Sequence, residues 1–162
     1  MSPVEPVVKF LQENELVVAT AESCTAGLVA SMLADVAGCG AVLEGGYIVY
    51  SETAKHDYLG VSFATMDTYG LTSEAVAREL VSGLAGRCNA NYLIAITGTA
   101  ESDDALSGVV CIARGLKVNG CLRVISETKK FAGERNDVRS NAAHYVLESI
   151  PGTYQTLINQ ES

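Results

Sequence analysis

Three short runs made almost entirely of apolar residues constrain the fold of this chain most strongly. They are LVVATA at 16–21, YLIAIT at 92–97 and GVVCIAR at 108–114. Such runs are typical of strands that are buried on both faces of a sheet, and helices are what usually covers both faces. Two further β-prone segments lie at 42–50, where a glycine pair is expected to mark a bulge, and at 122–131. The sequence therefore predicts a three-layer α/β domain with a mixed sheet.

The segments between these strands carry helical signals. The first has apolar residues at i, i+3, i+4 and i+7, namely Val4, Val7, Val8 and Leu11. The predicted helices span residues 4–11, 28–36, 53–59, 74–88 and 134–150, with a turn-rich piece at 61–70 and a stop at Pro151-Gly152. No internal repeat or domain-like linker interrupts this order, so we expect residues 1–162 to form a single domain.

Charge and cysteine content narrow the range of functions. The formal net charge is −8, which opposes nucleic-acid binding. No apolar run is long enough to span a membrane and the start lacks a secretory signal, so we expect a cytoplasmic protein that does not bind membranes. Five cysteines without a C-x-x-C pair and only two histidines make a metal site unexpected. Most of the cysteines are expected to be small buried residues.

Polar clusters follow three of the predicted strands, at 22–25, 50–51 and 97–99. Ligands of open α/β sheets bind beyond the carboxyl ends of strands, so these clusters are expected to converge if the strands are parallel neighbours. The first cluster, in AESCTAG, places hydroxyls and free backbone N–H groups at the start of a helix. It therefore has two interpretations: an anion or oxyanion site, or simple capping of the helix by Ser23 or Thr25.

Two groups of basic residues also allow two interpretations each. Lys55 lies five residues after Tyr50, where partial burial would lower its pKa and let it act as a base; a solvated surface lysine is the alternative. Arg135 and Arg139 lie at i and i+4 at the start of the last helix. That pair suits a phosphate or carboxylate, or forms an ordinary surface pair.

Several of these segments together resemble one known family. The stretches ATAESCTAGLVASMLADVAG, GGYIVYSETAKHDYLGV, YGLTSEAVAREL and ITG are similar to the CinA C-terminal domain, the nicotinamide-nucleotide amidohydrolase family. The resemblance covers about residues 5–150. It implies a three-layer α/β/α sandwich with a mixed, mostly parallel five-stranded sheet. It also implies metal-independent, cofactor-free hydrolysis of the carboxamide of nicotinamide mononucleotide to nicotinate mononucleotide and ammonia, in a domain that stands alone and forms a homo-oligomer, a dimer.

The resemblance assigns roles to individual residues. The family's serine, tyrosine and lysine fall on Ser23, Tyr50 and Lys55, which we expect to act as nucleophile, proton relay and base. The strand-end threonine of the family falls on Thr97 and an arginine on Arg135. With the clusters described above, the predicted substrate-binding residues are Glu22, Cys24, Thr25, Ser51, Thr97, Gly98, Arg135 and Arg139.

The chain also departs from the family's pattern. Ala26 stands where the family usually has a glycine, and the family's glycine- and proline-rich loop is replaced by a shorter, acidic segment at 98–108. Glu101, Asp103 and Asp104 in this segment would repel a phosphate if they face the site, or would have little effect if they point into solvent. The alternative function is therefore a paralogue that lacks deamidase activity and binds a nucleotide or a protein partner.

Overall fold

The computed structural model describes residues 2–160 and contains five strands and seven α-helices in that range. The strands are β1 (Val18–Glu22), β2 (Leu43–Ile48), β3 (Tyr92–Thr99), β4 (Val109–Val118) and β5 (Cys121–Lys130). The helices are α1 (Glu5–Glu13), α2 (Leu28–Ala34), α3 (Glu52–Leu59), α4 (Phe63–Tyr69), α5 (Glu74–Ala85), α6 (Arg135–Glu148) and α7 (Ile150–Asn159). No helix in this part of the chain is long and apolar enough to cross a membrane.

The strands form one mixed sheet in the order β2-β1-β3-β4-β5. β1 pairs in parallel with β2 and β3, and β4 pairs antiparallel with both β3 and β5. Four of the five strands therefore point the same way, and the carboxyl ends of β1, β2 and β3 meet at one edge. This arrangement confirms the predicted fold class.

Helices cover both faces of the sheet, as the apolar runs predict. In β3, Ile94 and Ile96 face a core built with α1, α2, α6 and α7. Leu93 and Ala95 face the opposite core, which contains residues of α3, α4 and α5. Because β3 is buried on both faces, it carries apolar residues at successive positions rather than at alternate ones.

The sequence prediction was wrong in two segments. The piece at 61–70 contains α4, which Ser62 caps by accepting a hydrogen bond from the Ala64 N–H at 3.1 Å. α6 does end at Glu148, close to the predicted stop, but α7 begins only two residues later. Pro151 is compatible with the first turn of α7, because the N–H that proline lacks would have no partner inside the helix there.

The structure also tests the expected bulge in β2 and the expected burial of the cysteines. The pairing of β1 with β2 shifts register between Val18 and Ala19, next to the glycine pair, which is the irregularity that a bulge would produce. The expected burial of most cysteines is wrong: Cys24 and Cys111 are buried, Cys39 and Cys88 are half-buried and Cys121 is exposed. Cys121 is exposed because it begins the outermost strand, directly after the turn from β4.

Candidate active site

A cleft of about 240 Å³ lies at the edge where β1, β2 and β3 end. Seven of the residues predicted for the site line it, namely Ser23, Cys24, Tyr50, Lys55, Thr97, Gly98 and Arg135. The three polar clusters therefore converge as the parallel strands require. The other four predicted residues, Glu22, Thr25, Ser51 and Arg139, lie beside the cleft without lining it.

Lys55 lies at the floor of this cleft, and its interpretation as a solvated surface lysine is wrong. Its side chain is 1% exposed. Its Nζ lies 3.0 Å from Ser23 Oγ, 3.0 Å from the Val49 carbonyl oxygen and 3.0 Å from the Tyr50 carbonyl oxygen. Ser51 caps α3 through the Ala54 N–H, so the helix starts at Glu52, four residues after β2 ends, and directs Lys55 inward on its first turn.

These three partners also suit an uncharged Lys55. Burial lowers the pKa of Lys55, because an ammonium group loses its hydration inside the protein. A neutral amine has two N–H donors and one lone pair. If its two donors serve the carbonyls of Val49 and Tyr50, its lone pair faces Ser23 Oγ and accepts the hydroxyl proton. This is the geometry that a general base needs.

Cys24, next to Ser23, does not offer a competing nucleophile. Its side chain is 5% exposed. Burial raises the pKa of its thiol to about 11, so the reactive thiolate is scarce at neutral pH. Ser23, whose hydroxyl oxygen lies 3.0 Å from the Lys55 amine, is the better candidate nucleophile.

Glu22 organises the turn that carries Ser23 instead of lining the cleft. Its side chain is completely buried. Its two carboxylate oxygens accept five hydrogen bonds, from the hydroxyls of Thr20 and Thr25 and from the backbone N–H groups of Gly27, Val29 and Ala30. The carboxylate thus ties the end of β1 to the first turn of α2, and Thr25 belongs to this support.

Arg139 holds the same turn from the side of α6. Its Nε donates to the Cys24 carbonyl at 2.8 Å and its second guanidinium nitrogen to the Thr25 carbonyl at 3.2 Å. Arg139 is half-buried, and its remaining guanidinium nitrogen donates to the Asn136 side chain at 3.2 Å. The two predicted arginines therefore have different places. Arg135 lines the cleft, whereas Arg139 supports the turn at 23–27 that carries Ser23, the candidate nucleophile turn.

The turn leaves backbone donors beside Ser23. Within residues 2–160, the N–H groups of Cys24 and Thr25 donate to no other residue, whereas the Ser23 N–H donates to the Ile96 carbonyl. Ala26 and Gly27 close the turn with φ values of +49° and +98°. A left-handed conformation costs a non-glycine residue about 1–2 kcal/mol, so Ala26 is strained where the family usually has glycine.

The far wall of the cleft comes from the end of β3 and from the connection between α4 and α5. Thr97 Oγ1 donates to the Leu71 carbonyl at 2.9 Å, and the hydroxyls of Thr72 and Thr99 lie 2.8 Å apart. Sequence reasoning missed Leu71 and Thr72. They lie in a connection rather than at a strand end, and the family-like stretch YGLTSEAVAREL was their only signal.

Gly98 keeps this wall close to the nucleophile turn. A Cβ atom there would lie 2.9 Å from a Val110 methyl, 3.0 Å from the Val109 carbonyl oxygen and 3.1 Å from Cys24 Sγ. Any side chain would push β3 away from β4 or fill the cleft. The glycine is required by this close approach.

The three acids of the segment at 98–108 behave differently from one another. Glu101 lines the cleft and pairs with Arg135, with Oε2 and Nε 3.6 Å apart. Asp104 closes its own loop by accepting hydrogen bonds from Ser102 Oγ and the Leu106 N–H. Asp103 is exposed. Only Glu101 is thus placed to act on a ligand.

The described part of the chain contains no group of three or more histidine, cysteine, aspartate or glutamate residues that could hold a metal ion. The donors that line the cleft are instead hydroxyls, one amine, one thiol and the Glu101–Arg135 pair. This donor set suits acyl transfer from a serine better than metal-assisted hydrolysis.

The CinA C-terminal domain model matches residues 2–153. The chain belongs to the CinA C-terminal domain family. A CinA-like protein from Chlorobium limicola is 40% identical over 136 residues. The chain spans about a third of the length of that relative and of a CinA-like protein from Kosmotoga olearia, 32% and 35% respectively. The nicotinamide-nucleotide amidohydrolase PncC of Enterobacter agglomerans is 35% identical over 136 residues, which cover 82% of this chain and 81% of that protein.

Solved CinA structures have the same fold. A CinA superfamily protein from Escherichia coli has a TM-score of 0.84 at 28% identity, over 93% of this chain and 88% of that one. A competence/damage-inducible protein from Agrobacterium tumefaciens has a TM-score of 0.81 at 30% identity, over 94% of this chain and 96% of that one. The residue roles, the nucleotide substrate and the dimer stay predictions.

Proposed function

We propose that this CinA domain hydrolyses the carboxamide of nicotinamide mononucleotide, with Ser23 as nucleophile and Lys55 as base. One observation carries the proposal: the buried Lys55 amine lies 3.0 Å from Ser23 Oγ at the floor of a cleft. The name of the PncC relative, which has nearly this chain's span, supports a nicotinamide nucleotide as the substrate.

The first half of the reaction transfers the acyl group to Ser23. Neutral Lys55 takes the Ser23 proton as Oγ attacks the carboxamide carbon. The backbone N–H of Cys24, a residue that lines the cleft directly after Ser23, stabilises the negative charge that develops on the carboxamide oxygen. The tetrahedral intermediate then collapses, the C–N bond breaks, and protonated Lys55 gives its proton to the leaving nitrogen, which departs as ammonia.

The second half of the reaction restores the enzyme. Lys55, neutral again, takes a proton from water as the water oxygen attacks the ester carbon. The Ser23 ester bond breaks, Oγ regains the proton from Lys55, and the acid leaves as nicotinate mononucleotide. One amide and one water thus give one acid and one ammonia.

Two cleft residues are suited to hold the pyridine carboxamide. The Thr97 hydroxyl donates its proton to Leu71, but its oxygen keeps lone pairs that can accept from the carboxamide N–H. The Tyr50 side chain is 59% exposed at the cleft, and its hydroxyl has no partner within residues 2–160. Its ring offers a flat face for stacking.

We expect Tyr50→Phe to keep most activity and Tyr50→Ala to lose it, whereas a proton relay predicts loss in both.

The decisive experiment measures ammonia released from nicotinamide mononucleotide by the purified protein. Ser23→Ala is expected to abolish release, and Ser31→Ala, on an exposed face of α2, is expected to leave it unchanged. Wild-type release no greater than that of Ser23→Ala would refute the proposal. In that case, binding of the mononucleotide measured by calorimetry would support the alternative of a binding paralogue.

A further inference from the structure

The mouth of the cleft holds one exposed pair of opposite charges. Three charged side chains line the cleft within residues 2–160, namely Lys55, Glu101 and Arg135. Lys55 is buried and occupied by Ser23 and two carbonyls. Arg135 is therefore the cation that a ligand can reach, and its guanidinium lies beside the Glu101 carboxylate, 52% and 61% exposed respectively.

Glu101 is held at this position by an ordered loop. Ser102 Oγ and the Leu106 N–H donate to Asp104, and the Ser102 N–H donates to Ser107 Oγ at 3.1 Å. The loop is anchored to β3 by the Gly108 N–H, which donates to the Thr99 carbonyl at 2.7 Å. The Glu101 carboxylate is thus positioned at the cleft by a loop that is held closed by hydrogen bonds among the loop's own residues.

Arg135 is equally constrained from the other side. It is the first residue of α6, and the Glu134 N–H donates to the Asp137 carboxylate at 2.9 Å to fix the start of that helix. The two side chains therefore meet because two independent backbone segments bring them together. A phosphate that binds Arg135 competes with Glu101 for the guanidinium and lies next to its negative charge.

We propose that Glu101 is a specificity-determining residue, which occupies Arg135 and shifts the preference of this cleft from phosphorylated amides toward amides without phosphate. The inference rests on the proposed function for its substrates. Nicotinamide riboside carries the same carboxamide and ribose as the mononucleotide and lacks only the phosphate. It therefore reports on every contact except those of the phosphate.

The test compares kcat/KM for the mononucleotide and for the riboside at low salt in the wild type, Glu101→Gln, Arg135→Gln and the double variant. Glu101→Gln is expected to raise the mononucleotide-to-riboside ratio roughly 2–5-fold, the scale of an exposed ion pair. Asp103→Asn, which removes the same charge from an exposed position of the same loop, is expected to leave the ratio unchanged.

Salt, the double variant and binding measurements also decide the proposal. High salt is expected to remove the gain, and Glu101→Gln is expected to change the ratio little once Arg135 is glutamine. Equal changes for both substrates, or an equal effect of Asp103→Asn, would overturn it. If the wild type releases no ammonia, only the proposed function fails. The ratio of the two dissociation constants, measured by calorimetry, then still decides the role of Glu101, and an unchanged ratio or no binding of either ligand would overturn it.

Discussion

Replacing Glu22 by glutamine tests whether the buried carboxylate organises the nucleophile turn. Glutamine has nearly the same shape, but one acceptor oxygen becomes an NH₂ donor. The side chain is expected to orient its oxygen toward the three donors now on Oε1, namely Thr25 Oγ1 and the N–H groups of Gly27 and Val29. Its NH₂ group then faces the Thr20 hydroxyl, which can rotate to accept, and the Ala30 N–H, which cannot.

The cost follows from these contacts. Leaving the Ala30 N–H facing a donor costs about 1–3 kcal/mol, and the three remaining bonds lose their charge assistance. Removing a buried charge offsets part of this loss. We therefore expect the free energy of unfolding to fall by about 2–4 kcal/mol. At about 2–4 °C per kcal/mol for a chain of this size, Tm falls by about 4–16 °C.

Scanning calorimetry and denaturant titration measure the stability loss, and ammonia release measures kcat. Glu148→Gln is the matched control, because Glu148 is exposed in α6 and its change is expected to stay within about 0.5 kcal/mol. The loss of kcat in Glu22→Gln is expected to exceed the loss of affinity, because the carboxylate touches the turn and not the substrate. A Tm within 2 °C of the wild type together with an unchanged kcat would refute this reasoning.

Lys55→Met removes the proposed base and is expected to lower kcat about 10²–10⁴-fold in the ammonia assay. Burial lowers the pKa of Lys55, whereas the unfolded chain keeps a value near 10.4, so the unfolded state binds more protons at a pH between the two values. The free energy of unfolding of the wild type is therefore expected to rise with pH in that range. Urea titrations measure this rise, which is expected to be absent in Lys55→Met. Ala26→Gly relieves a left-handed alanine and is expected to raise Tm by about 1–4 °C in calorimetry. Gly98→Ala crowds Val110 and Cys24 and is expected to cost about 1–3 kcal/mol in denaturant titration and to lower kcat.

The sheet was predictable because its central strands must be apolar on both faces. The run at 92–97 lies within β3, and the run at 108–114 overlaps β4, which begins at Val109. α4 was not predictable by the same reasoning, because Met66 is the only residue of this seven-residue helix that is buried. A helix held mainly by its neighbours carries little periodicity of its own. α7 was missed because proline and glycine signal an end as readily as a first turn.

The candidate site was predictable for residues that directly follow parallel strands, because the ends of neighbouring parallel strands lie close together. Strand ends brought Ser23, Tyr50 and Thr97 to one edge, as parallel pairing requires. The role of Glu22 could not be predicted, since a carboxylate at a strand end suggests a ligand contact until the folded turn surrounds it with donors. The burial of Lys55 was equally hidden, because a lysine is normally solvated and only the abrupt start of α3 directs it inward.

Three basic side chains reach the nucleophile turn or the cleft, and their burial separates their roles. Lys55 is buried, and burial lowers its pKa, which suits the proposed base, whereas a guanidinium stays charged and could not serve. Arg139 is half-buried, and its planar guanidinium donates to two carbonyls at once. A lysine ammonium is a single charged nitrogen and does not match this two-pronged geometry. Arg135 is exposed and thus available to a ligand. Arg139→Lys should therefore lower kcat more than it raises KM, and the opposite pattern would show that Arg139 binds the substrate directly.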